Sequence, residues 1–591
     1  MMTDRYTAIT FAPVQGFIEK SRKLRDLYGS SYLLSFLAWS ICKAADRHGY
    51  YVKSPALINV TQGMPNQIII DGIFDLHQAE KAFSQAWGCV VHACRLWIEN
   101  SAPQFQYCWK REWGLWIKYA WEFYGAHGPD IPTARQRLND QKQSRAWTGI
   151  NWTGESSTLS GADGIAWHKL GYMNPRQTGY QTQKREINDF YKALSSLLGE
   201  AFIDPDEELS VPELIKRMVT HETIANAVLE NFQERSRSVI SPEEKVRLLA
   251  IAQELNPTTF KDLNRLKKKD RKPSQPQEPK YWTGWFLGDG DSAGNYLKRH
   301  SGPDELVAFS SQMREWGNAI RDTEQTYLLG QGRMIYAGGD DFLGVLYEKD
   351  SQLQPTECWQ WFQHFNRNLW QGETLQAPSG KTFQYRADEP KPITASVGFV
   401  WAAPDVPQRD VLQHCHTAEQ SAKQGGRDRI AFRILFNGGN HLEWICPWWV
   451  LEAGHIDITQ NRLGISEPKQ AWARFYNDVA MLEGRHAFGV ENDNQVDVAK
   501  SLFQIYFGEE NTILNEGYWW NQYDDHETLV AAGILGNQTR FIITDTNDPD
   551  YGKPLPENRY VKHAINSWVI SLAKVGFHLN RPLRQPQAVA A

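Results

Sequence analysis

The sequence predicts an α+β protein with two similar α/β units, an irregular and partly helical insert between them, and a helical C-terminal segment. Apolar periodicity follows the order β-α-β-β-α near the start and β-α-β-β-α-β after residue 278. Both orders are typical of ferredoxin-like units. A stretch rich in Gly, Ser, Thr, Asn and Gln separates them. Because 591 residues are too many for one core, we predict four domains, at 1–125, 126–277, 278–446 and 447–591.

The first unit opens with an apolar strand, YTAITFA, at residues 6–12. A helical pattern follows from about Val14 to residue 49, and short strands are predicted in ALINV and NQIIIDGI. A second helix is predicted over residues 77–99. These elements form most of a ferredoxin-like unit.

The sequence pattern of the insert changes along its length. Residues 126–200 lack clear periodicity, which predicts an irregular module. Helices are then predicted in VPELIKRMVTHETIANAVLENF and SPEEKVRLLAIAQEL, the second opened by a capping box of Ser241 and Glu244. The charged, Pro-rich segment DLNRLKKKDRKPSQPQEPK is interpreted as a linker or exposed loop.

The second unit repeats the first pattern more completely. Strands are predicted in YWTGWFL, RMIYA, FLGVLY, ITASVGFVW and RIAFRIL, with helices around ELVAFSSQMREWGNAIRDTEQTY, ECWQWFQHFNRNLW and DVLQHCHTAEQSAK. From about Pro447 onward the pattern is mainly helical, as in NRYVKHAINSWVISLAKVGF.

Composition limits the classes of function. The chain is 41% hydrophobic and 22% charged with a net charge of -6, so any contact with RNA must be local. No apolar run is long enough to cross a membrane, no signal peptide is evident, and seven cysteines without CxxC pairs fit a reducing compartment, so we expect a cytoplasmic protein. Cys89, His92 and Cys94 lie in a helical pattern and are interpreted as buried side chains rather than metal ligands.

The stretch MIYAGGDDFLGVLY contains the strongest candidate site. Gly338 and Gly339 can adopt a tight turn with positive φ between two buried strands, so the sequence predicts a hairpin with Asp340 and Asp341 at its tip. Taken alone, this tip fits an ordinary turn with solvated carboxylates.

A second acidic cluster favours a functional site. In a ferredoxin-like unit the third strand lies between the first and the second, so the end of strand one shares an edge with the tip. Strand one ends in GWFLGDGDSAGNYLKR and brings Asp289 and Asp291 to that edge. Clustered carboxylates repel one another unless a cation neutralises them, and oxygen ligands favour Mg²⁺ or Mn²⁺ over zinc.

Metal ions at this edge could bind nucleotide phosphates and activate a 3′-hydroxyl for in-line attack on an α-phosphate. Lys423, at a helix end beside a Gly-Gly turn, could reach triphosphate oxygens, and Arg427 is a weaker candidate. Alternatively, Lys423 only opposes the helix dipole.

The motifs GDGDSAG and YAGGDDF with a following AK helix resemble the Palm domain shared by nucleotide cyclases and polymerases, and especially the large subunit of type III CRISPR effector complexes. The opening ITFAPVQGFIEKSRKLRDLYGSSYLLS is similar to that subunit's first motif in the III-B (Cmr) branch. The resemblance implies two Palm (nucleotide cyclase-like) domains and covers nearly the whole chain.

The resemblance also implies a function: an antiviral subunit that converts ATP into cyclic oligoadenylate messengers when target RNA pairs with the guide RNA. Its partners would be guide (CRISPR) RNA, target RNA and the other subunits, including the small helical subunit and the guide-handle-binding subunit, with no membrane. The residues it implies are the catalytic and metal-binding Asp289, Asp340 and Asp341, the metal-binding Asp291, and the nucleotide-binding Gly338, Gly339, Ser292 and Lys423.

Three departures from the family pattern carry expectations. No His-Asp pair precedes the opening motif, so we expect no HD-type DNase activity. Residues 130–200 contain no cysteine, so the zinc module of relatives would lack its ligands and no zinc is expected. The first unit has TQGMPNQ where GGDD would stand and is expected to be catalytically empty.

Several alternatives remain open at this point. GGDDF also resembles the GGDEF motif of diguanylate cyclases, some family members are thought to join ATP to S-adenosylmethionine, and the chain could be a scaffold with vestigial acids. Sensing of target RNA needs a local basic face, and Lys20, Arg22, Lys23 and Arg25 form one candidate. The alternative for that segment is a solvated helix face.

Overall fold

The structure of the chain is a computed structural model. It forms two compact units with interleaved segments: Met1–Asn264, Gly294–Arg321 and Ile335–Gly339 make the first, and Arg265–Ala293, Asp322–Met334 and Asp340–Ala591 the second. The structure describes residues 3–21, 23–56, 60, 63–144, 148–172, 179–200, 202–236, 239–254, 281–300, 302–322, 331–348, 351–371, 375–376, 382–383, 393–452, 454–456, 467–525 and 527–583.

The first unit contains a four-stranded sheet in the order β2-β3-β1-β4. Strand β1 is antiparallel to both β3 and β4. Strand β2 precedes the predicted ALINV, whose residues 57–59 lie outside the described part. Strand β4 was not predicted, because its sequence EFYGAHG has two glycines and is only half buried. The strands are Tyr6–Ala12 (β1), Tyr51–Ser54 (β2), Ile68–Asp71 (β3) and Glu122–Gly128 (β4).

Nine helices accompany this sheet in the described part of the first 254 residues. The single helix predicted from Val14 is broken into α1 and α2. The first predicted helix of the insert is divided into α7 and α8, whereas the second is the single helix α9. Hydrogen bonds of 2.9 and 3.1 Å between Ser241 and Glu244 confirm the capping box of α9. The bounds are Gln15–Glu19 (α1), Leu24–Arg47 (α2), Leu76–Ser101 (α3), Lys110–Tyr119 (α4), Ile131–Gln143 (α5), Tyr180–Leu198 (α6), Val211–Met218 (α7), Glu222–Ser236 (α8) and Pro242–Glu254 (α9).

The prediction of an irregular module at 126–200 was wrong for part of that segment, because α5 and α6 lie within it. Helix α5 is mostly polar, so its periodicity is weak, yet it buries Ile131, Ala134 and Leu138 against the first sheet. Asp130 begins this helix by accepting a hydrogen bond of 2.7 Å from the Thr133 amide.

The second sheet has six strands in the order β12-β11-β10-β5-β7-β6. Its part β10-β5-β7-β6 has the predicted ferredoxin-like order, with the third strand of the unit between the first and the second. Strand β12 was not predicted, since the sequence HLEWICP begins exposed and polar. The strands are Thr283–Gly290 (β5), Gly332–Ala337 (β6), Phe342–Leu346 (β7), Ala395–Ala402 (β10), Arg429–Leu435 (β11) and His441–Pro447 (β12); Leu375–Gln376 (β8) and Thr382–Phe383 (β9) form a separate pair.

The helices between these strands have two different surroundings. Helix α11 contributes Leu306 to the core of the first sheet, beside Tyr6 and Ile69. Helix α13 packs on β10 and β11 through buried small side chains such as Ala418 and Ala422. The bounds are Ala293–Arg299 (α10), Pro303–Asp322 (α11), Pro355–Gln363 (α12), a π-helix at Phe365–Trp370, and Gln408–Gly425 (α13).

The C-terminal segment is helical at its start and its end. Between them, residues 508–558 form turns, short 3₁₀ helices and a small hairpin of Gln522–Tyr523 (β13) and Leu529–Ala531 (β14). In the described ranges, no helix has the length and apolarity needed to span a membrane. The helices are Trp448–Glu452 (α14), Pro468–Gly484 (α15), Val496–Phe507 (α16) and Arg559–Asn580 (α17).

Two expectations about particular side chains are decided by burial. Cys89 and Cys94 are fully buried in α3, which confirms that they are core residues. Burial raises the pKa of the Cys89 thiol to about 11, so this side chain is a neutral thiol.

Candidate active site

The end of β5 and the tip between β6 and β7 lie side by side. The Gly290 amide donates a hydrogen bond of 3.1 Å to the Asp340 carbonyl oxygen. A Cβ atom on Gly290 would lie 2.6 Å from Cδ1 of Ile393 and 2.9 Å from Cβ of Asp340, so only glycine permits this approach. The antiparallel register of β5 with β7 thereby places Asp289 beside the two tip aspartates, as the topology predicted.

Asp289, Asp341 and Lys423 form one charged cluster. The Lys423 ammonium makes an ion pair with Asp289. Burial by itself would lower the pKa of Lys423, but the neighbouring carboxylates, Asp289 first, raise it, so the ammonium is charged. Asp341 keeps an exposed face, yet desolvation by the surrounding protein and the Asp289 and Asp340 carboxylates raise its pKa. The crowding thus disfavours the charged form of Asp341, and a bound cation would stabilise that form.

A second carboxylate, Glu419, contacts the same ammonium. Its Oε1 lies 2.5 Å from Lys423 Nζ, one helical turn away on α13. The side chain is only 3% exposed, and desolvation raises its pKa. Sequence reasoning missed Glu419, although a Glu four residues before a Lys on a predicted helix is a recognisable ion-pair spacing.

Asp291 has a different environment from the other acids. It is 5% exposed, and its Oδ1 accepts a hydrogen bond of 2.6 Å from Ser396. Its Oδ2 accepts from the Thr394 hydroxyl at 2.8 Å and from the Asp428 amide at 2.9 Å. Both oxygens therefore bind neighbouring protein groups. Ser292 follows with a φ of 57°, in the left-handed region, just before α10.

Of the two glycines in the turn, Gly338 lies in close contact with another segment. Positive φ was predicted for Gly338 and Gly339, but neither has it. Instead, a Cβ on Gly338 would lie 3.0 Å from the Gly63 carbonyl. The Gly338 carbonyl accepts a hydrogen bond of 2.9 Å from Arg314, a guanidinium that is 1% exposed and also donates to the Gly63 carbonyl. No sequence motif marks Arg314.

The donors of this cluster suit a hard cation. Asp289, Asp340 and Asp341 offer only oxygen atoms, which match Mg²⁺ or Mn²⁺. Across the described residues, no three His, Cys, Asp or Glu side chains are already arranged around a common metal position. A cation at Asp289 would have to displace the Lys423 ammonium from that carboxylate.

The predicted basic face near the N-terminus is folded inward. Lys23 pairs with Glu207 at 3.0 Å, and Arg25 is 1% exposed with its guanidinium 3.7 Å from the Phe202 ring centroid. Lys20 is 39% exposed and pairs with Asp163. The expectation of a basic RNA-contacting face was therefore wrong for Lys23 and Arg25, as was the solvated alternative. Arg22 lies outside the described residues.

Two family models match the sequence. Residues 6–60 match the model described as CRISPR-associated protein Cmr2, N-terminal, and residues 283–431 match the Cas10/Cmr2 second palm domain. The second match includes the four aspartates of the two clusters and Lys423. The segment that carries the site thus matches a Palm domain of CRISPR-associated proteins.

Residues 6–60 and 283–431 of this chain are therefore similar to Cas10/Cmr2 proteins. Comparison of the sequence with curated proteins gave no match.

Several solved structures align with this chain at low sequence identity. A type III-B Cmr-beta structure in the apo state covers 98% of this chain and 82% of its own, with 13% identity and a TM-score of 0.51. Cmr-beta bound to cognate target RNA covers 86% and 78%, with 11% identity and a TM-score of 0.47. A Csm1-Csm4 cassette in complex with AMPPNP covers 98% and 70%, with 14% identity and a TM-score of 0.41.

Proposed function

We propose that this chain is the nucleotide-polymerising subunit of an RNA-guided CRISPR effector complex, and that it converts ATP to cyclic oligoadenylates when target RNA binds. One observation carries the proposal. In a segment that matches the Cas10/Cmr2 second palm domain, Asp289, Asp340 and Asp341 lie together at one sheet edge, with the Lys423 ammonium against them. This is the charge arrangement that metal-dependent phosphoryl transfer needs.

The side chains take distinct roles in this proposal. Asp289, Asp340 and Asp341 hold Mg²⁺ or Mn²⁺, which would supply positive charge at the attacking and leaving oxygens. Lys423 contacts the triphosphate, while Gly338, Gly339 and Ser292 allow the nucleotide to approach. We assign Asp291 to bracing the segments at Thr394, Ser396 and Asp428 instead of binding metal, because donors already occupy both of its oxygens.

The proposed reaction joins two molecules of ATP and then closes a ring. The 3′-oxygen of one nucleotide attacks the α-phosphorus of the next, its proton is lost, and the bond to pyrophosphate breaks. Pyrophosphate leaves with the electron pair of that bond. Repetition lengthens the chain. The terminal 3′-oxygen then attacks the α-phosphorus of the 5′-terminal triphosphate, its proton passes to solvent, and a last pyrophosphate leaves as the ring closes.

The partners belong to the same proposal. They are guide RNA, target RNA and the other subunits of a type III-B complex, including the small helical subunit and the guide-handle-binding subunit. The division into four domains remains part of the proposal, as does a first Palm unit without catalytic acids. Metal-dependent DNase activity of the HD type and bound zinc are not part of it.

Substitution of the tip aspartates tests the proposal. Complexes carrying Asp340→Ala with Asp341→Ala are incubated with labelled ATP, Mn²⁺, guide RNA and target RNA. We expect loss of cyclic product by at least about a hundredfold, because the charge that neutralises the phosphates is lost. The matched control is Glu509→Ala with Glu510→Ala, which removes two adjacent exposed carboxylates elsewhere. Product at the wild-type rate from the aspartate variant would contradict the assignment.

Product identity separates the remaining alternatives in the same assay. Labelled oligoadenylate supports the proposal, whereas a product that forms only with added GTP or S-adenosylmethionine would replace it with the corresponding activity. An assembled complex that forms no labelled product under any of these conditions would favour a scaffold.

A further inference from the structure

Glu419 is a buried acid whose role the catalytic proposal leaves open. It lies on α13 and is 3% exposed. Its Oε2 accepts a hydrogen bond of 2.9 Å from Gln420, and its Oε1 lies 2.5 Å from the Lys423 ammonium. A buried carboxylate is costly unless it is paired, so the Glu419 position depends on Lys423.

Lys423 is shared between two carboxylates with different surroundings. Asp289 is 21% exposed and stands at the sheet edge beside the tip aspartates, whereas Glu419 is enclosed on the helix. A metal ion can reach Asp289 only if it competes with the ammonium, because both would bind the same carboxylate. Once a metal ion had displaced the ammonium from Asp289, the position of Lys423 would therefore depend on its other partner, Glu419.

We propose that Glu419 is a positioning residue that retains Lys423 beside the acidic cluster when a metal ion replaces the ammonium on Asp289. This inference rests on the proposed function, since it assumes that the metal ion binds at Asp289. Glu419 keeps the ammonium neutralised during the exchange and leaves it within reach of an incoming triphosphate. Without the Glu419 charge, the ammonium would bind Asp289 more tightly and exclude the metal ion.

The backbone around Glu419 supports this role. Gly398 on β10 lies directly beneath it: a Cβ there would be 2.6 Å from the Cys415 carbonyl oxygen and would collide with the Glu419 amide. Helix α13 is thus held against the sheet at the residue that contacts Lys423. A carboxylate fixed in this way can anchor a flexible lysine side chain.

Binding of Mn²⁺ to the full-length protein tests the inference without any turnover. Free Mn²⁺ is followed by electron paramagnetic resonance during titration of wild type, Glu419→Gln, Lys423→Met and the double variant. We expect Glu419→Gln to weaken Mn²⁺ binding by about tenfold, since contacting charges typically couple by this order. Lys423→Met should tighten it, because Asp289 is then free of the ammonium.

The double variant distinguishes positioning from a simple loss of charge. If Glu419 acts through Lys423, Glu419→Gln has no further effect once Lys423 is Met. A further weakening of equal size in the double variant would overturn the inference, because it would show that Glu419 only adds negative potential. The matched control is Glu483→Gln, a glutamate that pairs at 3.0 Å with Lys574, and it should leave Mn²⁺ binding unchanged.

The same titration separates this inference from the proposed function. Wild-type binding of Mn²⁺ with an unchanged Glu419→Gln variant would overturn the positioning role alone. No saturable Mn²⁺ binding by the wild type would overturn both. A second readout, the KM for ATP in the assembled complex, should rise more than kcat falls in Glu419→Gln, because the triphosphate contact is weakened before the chemical step.

Discussion

Asp291, in the motif GDGDSAG, and Asp340, in the motif YAGGDDF, have different surroundings although both motifs lie at one sheet edge. Asp291 is enclosed by hydrogen-bond donors, whereas Asp340 is half-buried at the hairpin tip. A carboxylate that accepts three hydrogen bonds in a buried position stabilises the fold. A carboxylate at a crowded acidic edge is available for a cation.

This difference predicts that the two substitutions change stability by different amounts. Asp291→Ala leaves the Ser396 and Thr394 hydroxyls and the Asp428 amide without their acceptor, and should lower the free energy of unfolding by about 2–4 kcal/mol. Asp340→Ala should change it by less than about 1 kcal/mol. Urea unfolding followed by tryptophan fluorescence measures both. Equal midpoints for the two variants would contradict the bracing role of Asp291.

At the residue scale, the sequence predicts which acids lie together but not which charged side chains are buried. The proximity of Asp289, Asp340 and Asp341 could be predicted because their motifs lie at strand ends that the topology brings together. The role of Asp291 could not, since a sequence does not show which donors will surround a carboxylate. Arg314 and Glu419 lie within amphipathic helices, where charged residues are ordinarily solvated, and only packing shows that both are buried.

At the scale of elements, the site depends on how closely α13 lies against β10. Buried side chains at Val411, Cys415, Ala418 and Ala422 form the apolar stripe of this helix. Glycine at position 398 permits the close approach. Glu419 and Lys423 lie on the same helix, next to Ala418 and Ala422. The position of α13 against β10 therefore determines where the Lys423 ammonium lies.

Gly398→Ala tests this dependence. The added methyl group would collide with the α13 backbone, so we expect a loss of about 1–3 kcal/mol in stability and weaker binding of an ATP analogue. Gly438→Ala is the matched control, because nothing lies within 4 Å of a Cβ at that position. Denaturation and fluorescent nucleotide titration give the two readouts. If both variants bind nucleotide as the wild type does, the position of α13 does not control the site.

Long apolar elements could be predicted, and short or polar ones could not. Strands β1, β5, β7, β10 and β11 are nearly continuous buried runs, so their sequences indicate them clearly. Strands β4 and β12 and helix α5 bury only part of their residues, and tertiary packing stabilises them against weak local preference.

At the scale of the whole molecule, a segment rich in basic residues need not be exposed to solvent. The residues after β1 looked like a basic face, but the insert supplies acids that neutralise them. Arg217, fully buried, pairs with Asp26 at 2.7 Å and also with Glu207, and this network joins α2 to the insert. Sequence reasoning could not find the pairing, because the partners are about 190 residues apart.

The proposed function requires control by RNA. A ligand shifts a two-state equilibrium only by its difference in affinity for the two states, and about 3 kcal/mol of difference gives a shift of over a hundredfold. Target RNA would therefore have to bind the active arrangement of the complex better than the idle one. The net charge of -6 implies that any direct RNA contact by this chain is local.

The most direct test measures conversion of labelled ATP by the guide-loaded complex with and without matched target RNA, in Mn²⁺. We predict cyclic oligoadenylate with target RNA, a rate lower by about a hundredfold without it, and little product from the purified subunit alone. Equal turnover with and without target RNA would contradict the account and indicate a constitutive cyclase.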